Sequence, residues 1–222
     1  MGKYRTKRKS KHRGNDPIGI TDDYENDHGD EIENGIPSRD ECTVQTVIEQ
    51  VQCITIEDKI CGLQTLATAF NDKESIEILI KKKVLKMVAP LLLDPNPEIR
   101  NFTAGALRNL SACGNIEICE HIVKEDVLTP LISLIQQYGD WKPNDKKPDQ
   151  ENENIDTLIQ AINLLWNLCE SDDTAVKYFN TAQLLGVLLN YLNFNVYGMD
   201  LAIVVCQCIH TVSEDNMPAS TV

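Results

Sequence analysis

Apolar positions recur at helical spacing along most of this 222-residue chain, and the stretch from 97 to 113 shows the pattern most clearly. Ile99, Phe102, Ala106, Leu110 and Cys113 fall three or four residues apart, which is one stripe of an amphipathic helix. Pro97 can open such a helix, because the first turn has no use for its missing donor, and Gly114 can close it. The stretch also has copies. Its pair Leu107 and Leu110 answers Leu63 and Leu66, Leu165 and Leu168, and Ile209 and Val212, at intervals of 44, 58 and 44 residues. A period in this range is the mark of a helical repeat array.

The units can be laid out around those pairs. Val44, Val47, Ile48 and Val51 read as an incomplete first unit or cap. A full repeat follows, with helices through Ile60, Leu63 and Leu66, through Ile76, Leu79 and Ile80, and through Val84, Leu85, Val88 and Leu91, closed by the turn sequence at 94–97. The second repeat continues with Cys119, Ile122 and Val123 and then Val127, Leu128, Leu131 and Leu134. The third starts near Ile155, with Leu158, Ile162, Leu165 and Leu168, then Val176 and Phe179, then Leu185, Leu188 and Leu192. A fourth begins at Met199 and supplies one helix before Pro218. The longer interval is explained by the polar, turn-forming segment 138–154, read as a solvated loop inserted between repeats, with Trp141 an unusual residue to leave in water. The expected fold is an all-α solenoid of armadillo/HEAT type, a right-handed superhelix spanning 40–217. Three helices per repeat favour the armadillo geometry.

Residues 1–39 differ. Gly and Pro interrupt them and their apolar residues lack a period, so they read as a disordered arm. Residues 1–13 carry seven basic side chains and no acid, so of the net charge of −13 the remainder holds −20. An acidic body favours basic partners and disfavours naked nucleic acid. No apolar run is long enough to span a bilayer, and no apolar segment follows the basic start, so a protein kept inside the cell is expected, with no membrane partner.

Eight cysteines lack a CxxC spacing and mostly fall on apolar stripes, which favours core packing over metal or disulfides. Cys206, Cys208 and His210 cluster in sequence, but positions two apart on a helix do not face each other. Phosphate-loop, metalloprotease and nucleophile-elbow motifs are missing, so neither an enzyme nor a cofactor is expected.

Solenoids work through the surface their repeats share. Thr65, Asn109, Asn167 and Thr211 each precede the second member of the repeated pair, and Cys61, Gly105, Asn163 and Gln207 lie four residues earlier on the same face. Stacked amides can clamp an extended peptide, since each both donates and accepts; they can equally bond to neighbouring backbone inside the stack. Arg100, Arg108 and Trp166 are expected to flank the column and set side-chain preference. In the arm, Lys7, Arg8, Lys9, Lys11 and Arg13 precede Pro17 and Ile18 after a short spacer. That arrangement looks like the signal read by transportin-type import receptors, with Ile18 where Tyr is usual. A solubilising charge run or an RNA-binding tail are the other readings.

The opening MGKYRTKR, PLLLDP at 90–95, IRNFTAGALRNLSACG at 99–114, NLLWNLCE at 163–170 and the stretch from Asp200 to Asn216 together resemble the symportin family, also called HEAT-repeat-containing protein three. The resemblance implies a non-enzymatic chaperone and nuclear import adaptor. It would take the basic large-subunit ribosomal proteins that accompany 5S ribosomal RNA from cytoplasm to nucleus, with a transportin bound to the arm and an extended client segment on the inner face of the repeats. Family members continue through further repeats, so a chain stopping inside a fourth repeat is expected to leave an apolar face uncovered. The alternative is a general armadillo scaffold or signalling adaptor whose basic arm folds onto its acidic body and inhibits it.

Overall fold

The computed structural model describes residues 39–113, 116–143 and 148–215, and within them every regular element is a helix. The expected arm, with its receptor signal from Lys7 to Ile18, and Gly114 lie outside the described residues. Helix α1 covers Arg39–Val51, and α2 (Ile56–Ala69) opens the first repeat. Thr55 caps α2 by accepting from the Asp58 amide, and Gly62 lets it cross close to α1. A Cβ on Gly62 would stand 2.8 Å from Gln50 Cβ and 2.9 Å from the Val51 nitrogen, so the crossing requires glycine.

The short helix α3 (Lys73–Lys81) is capped by Asp72, which accepts from Ser75 N at 2.7 Å, and that bond holds the Asp72 carboxyl below its usual range. Helix α4 (Val84–Val88) then tightens into a 3₁₀ turn over Ala89–Leu93. Asn96 caps α5 (Pro97–Ala112), its side chain accepting from Glu98 N at 2.9 Å and Ile99 N at 3.2 Å, with Pro97 in the first turn. Helices α6 (Ile116–Lys124) and α7 (Leu128–Gln137) complete the second repeat, and α8 (Pro148–Ser171), α9 (Asp173–Thr181) and α10 (Leu184–Asn190) the third. The one-turn α11 (Phe194–Tyr197) leads into α12 (Met199–Asp215).

The long helices pack in chain order, α1 on α2, α2 on α5, α5 on α8 and α8 on α12, forming one continuous layer. The repeated pair is the reason: Leu63, Leu66, Leu107, Leu110, Leu165 and Leu168 are all fully buried, each contributing about 1.5–3 kcal/mol of apolar burial. The shorter helices add Leu79, Ile122 and Phe179 to the same core.

Three expectations need correction. The segment 138–154 is not a loop throughout, because α8 begins at Pro148. Tyr138 is buried and Trp141 packs on the core. The Tyr138 and Trp141 rings meet edge to face at 5.8 Å, Trp141 lies 6.0 Å from Tyr197, and Tyr191 lies 5.2 Å from Tyr197. Tyr191 Oη donates to Tyr138 O at 2.7 Å and Tyr197 Oη to Trp141 O at 2.9 Å, so the start of the insertion is pinned to the third repeat. Second, Leu185 is exposed and its neighbour Leu184 is buried, so the inward stripe of α10 runs through Leu184, Leu188 and Tyr191. Third, only Cys119, Cys169 and Cys208 are buried among the described cysteines; Cys61, Cys113 and Cys206 are exposed and Cys53 is intermediate.

Candidate functional site

The predicted column lies where consecutive long helices meet. Thr65 Oγ1 donates to Cys61 O at 2.9 Å, back along its own helix. Asn109 Nδ2 donates to Ala67 O at 3.4 Å, linking α5 to α2, while its Oδ1 accepts from Arg108 at 2.8 Å. Asn167 Nδ2 donates to Ser111 Oγ at 2.9 Å, linking α8 to α5, and Ser111 Oγ donates to Arg108 O at 2.8 Å. Trp166 Nε1 donates to Thr211 Oγ1 at 2.9 Å, linking α8 to α12. The column therefore stitches the layer from one repeat to the next. Each amide keeps a second N–H, so the stitching does not exhaust its hydrogen-bonding capacity.

The remaining sequence-predicted residues divide. Arg108 stays beside Asn109, half-buried, and Gln207 is exposed on α12. Asn163 donates to Ile159 O at 2.9 Å within α8. Arg100 is committed elsewhere, donating to Asp94 O at 2.8 Å, Pro95 O at 3.0 Å and Tyr138 Oη at 3.1 Å, so it braces the turn before α5. Sequence reasoning missed Ser111, which receives Asn167, and Gln160, whose buried Oε1 has no hydrogen-bond partner among the described residues. Ser111 sits four residues after Leu107, a core spacing that could have marked it. Nothing in the local pattern marks Gln160.

The same layer exposes Glu57, Asp58, Glu98, Asp156, Glu170 and Glu214. Hydrogen bonds from Thr55 and Cys53 hold the Asp58 carboxyl below its usual range, keeping it charged. Burial pushes Glu153 up, and the neighbouring Glu98 charge adds to the shift. Among the described residues no group of three or more His, Cys, Asp or Glu could hold a metal, and no helix is long and apolar enough to cross a membrane. His210 and Glu214 form an exposed pair at 3.4 Å on α12. Away from the column, a cleft of about 510 Å³ is lined by Gly139, Asp140, Lys142, Asn190, Asn193 and Tyr197. A second, of about 310 Å³, lies between Phe179, Leu185, Ile209 and Val212.

Solved structures with this arrangement include designed armadillo repeat proteins. Computationally designed armadillo repeat proteins for modular peptide recognition superpose with a TM-score of 0.60 at 19% identity, covering 76% of this chain and 63% of theirs. A designed armadillo repeat protein in complex with the peptide (KR)4 gives 0.58 at 18% identity, covering 78% of this chain and 70% of that one. The fold is thus an all-α solenoid of armadillo-repeat class. No family model matches the chain. It is 35% identical over 176 residues to HEAT repeat-containing protein 3 of Homo sapiens, across 77% of this chain and 26% of that protein. It is 34% identical over 197 residues to the Mus musculus protein of the same name, across 86% of this chain and 28% of that one. The chain belongs to the HEAT repeat-containing protein 3 family and spans about a quarter of the length of these curated relatives.

Proposed function

We propose that the chain is a non-enzymatic chaperone and nuclear import adaptor that holds an extended basic segment of 5S-RNA-associated large-subunit ribosomal proteins on its long-helix layer. The observation that carries this reading is the layer itself. It presents a repeated row of amide and hydroxyl groups on helices that also expose carboxylates, and residues 39–222 together carry a formal charge of −12. Such a face suits a basic, extended chain, because the amides engage main-chain groups and the carboxylates attract Lys and Arg. The same fold carries a (KR)4 peptide in the designed protein, although an identity of 18% relates the two by fold alone. The basic segment from Lys7 to Ile18 is the receptor-facing half of the proposal, binding a transportin-type importer and taking client and adaptor from cytoplasm to nucleus.

Calorimetry of the full 222-residue chain with purified 5S-associated ribosomal proteins tests the client half. Saturable binding that weakens as salt rises is expected, with no binding to an acidic control protein. Failure to bind any of these clients at low salt would overturn the proposal. Deleting residues 1–18 is expected to abolish transportin capture and leave client affinity unchanged. Undiminished capture would remove the arm from the scheme.

A further inference from the structure

The two helical glycines of the long-helix layer have different physical reasons to be there. Gly62 is required by packing, since a Cβ would strike Gln50 and the Val51 backbone. Gly105 is not. Its φ is not positive, it lies mid-helix in α5, and the nearest atom to a Cβ built on it would be Gln160 Cδ at 3.9 Å, ordinary van der Waals distance. A glycine inside a helix weakens it relative to alanine, so neither conformation nor packing accounts for this one.

What the missing side chain leaves is a notch at the α5–α8 seam, four residues before Asn109 in the column described above. Next to the notch stands the amide of Gln160, whose buried Oε1 lacks a partner among the described residues. A buried acceptor left unpaired is destabilising, and a donor arriving through the notch would relieve it. Asn109 and Asn167 on either side of the seam are already oriented by their bonds to Ala67 and Ser111.

We infer that the Gly105 notch is where the main chain of an extended peptide comes closest to the layer, one of its N–H groups donating to Gln160 Oε1. The inference deepens the proposed function and rests on that reading, because the peptide is the basic client segment. Because Gln160 Oε1 is buried in the free chain, its amide turns toward the notch to accept from the peptide, and Gly105 supplies the clearance. Gly105 therefore weakens the free protein and is useful only when the face is occupied.

The test uses the full chain and a peptide of alternating Lys and Arg, with a second peptide of the same sequence N-methylated along its main chain. Charge is then constant while main-chain donors are removed. Gly105→Ala and Gln160→Met are each expected to weaken the unmodified peptide by about tenfold, the change that loss of one well-made hydrogen bond produces. Their melting temperatures should equal or exceed the wild type's, which separates lost binding from lost folding. The N-methylated peptide should bind the wild type more weakly and be indifferent to either substitution. Gly186→Ala, at an open position on α10 with nothing within 4 Å, serves as the control and should leave affinity unchanged. If wild type binds the unmodified peptide and both variants bind it equally well, the notch is wrong and the basic-client reading stands. Equal affinity for the two peptides also overturns the main-chain contact. If wild type binds neither peptide, both proposals fall.

Discussion

At the scale of single residues, the glycines give the sharpest expectations for stability. Gly62→Ala forces a Cβ to within 3 Å of both a side chain and a backbone nitrogen of α1, and a backbone atom cannot swing aside. We expect a loss of about 1–3 kcal/mol, the usual penalty of overpacking. Gly105→Ala meets no such obstacle and removes helix-interior glycine, so it should gain about 0.5–1 kcal/mol. Urea titration of the two variants checks the opposite signs. Destabilisation by both would show that the α5–α8 seam is tighter than its geometry indicates. Sequence alone could not separate these residues, since each sits among apolar positions of a long helix, and the distinction lies in how near the neighbouring helix passes. The same limit applies to the cysteines. Stripe membership correctly buried Cys119, Cys169 and Cys208, but Cys61 and Cys206 are exposed on their helices, and Cys113, just past the end of α5, is exposed with its thiol donating to Phe70 O at 2.8 Å. Burial pushes the Cys208 thiol up to about 12, so it is a packing group with little thiolate at neutral pH.

At the scale of elements, the repeats share a feature with no sequence signature. Lys83, Asp126 and Gln183 each occupy the left-handed region, with φ of 57°, 59° and 55°. Each stands at the turn before the last helix of its repeat, preceding Val84, Val127 and Leu184, all fully buried. That turn aims the following helix into the core, and glycine is the residue that adopts it without steric penalty. Gln183→Gly should therefore stabilise the third repeat by up to about 1 kcal/mol, the difference between relieving a left-handed side chain and adding backbone freedom. Thermal melting reads the change, and a lower midpoint would mean that the Gln183 side chain makes a contribution exceeding its strain. Helices α2, α5, α8 and α12 were legible because their buried pairs repeat. The start of α8 was not, because a polar, proline-containing segment is compatible with both a loop and the exposed first turns of a helix. The pinning of Trp141 and Tyr138 depends on tyrosines more than fifty residues away, a contact that no local pattern encodes.

At the scale of the whole molecule, a solenoid has no central core, and each repeat is stabilised by itself and its neighbours. Helices α5 and α8 have a long helix on both sides, whereas α1 meets only α2 and α12 only α8 within the layer. Equivalent positions express the same gradient. Leu128 and Ile132 of α7 are 1% and 7% exposed, while Leu185 and Leu189, which correspond to them in α10, are 47% and 50% exposed. Amide exchange should follow that asymmetry. The amides around Leu107–Leu110 and Leu165–Leu168 are expected to be the slowest, with those of α1, α10 and α12 at least about tenfold faster through local opening. Two core truncations distinguish this from a single cooperative transition. Leu110→Ala, in the middle of the layer, should cost about 2–5 kcal/mol and reduce protection in α2 and α8 as well as α5. Val205→Ala, equally buried but in α12, should speed exchange in α12 and leave α2 and α5 unchanged, because within the long-helix layer α12 packs on α8 and not on α2 or α5. Mass spectrometry of exchange at peptide resolution reads both. Uniform protection in the wild type, or an effect of Val205→Ala that reaches α2, would mean that the repeats open together and nearest-neighbour coupling does not describe the molecule.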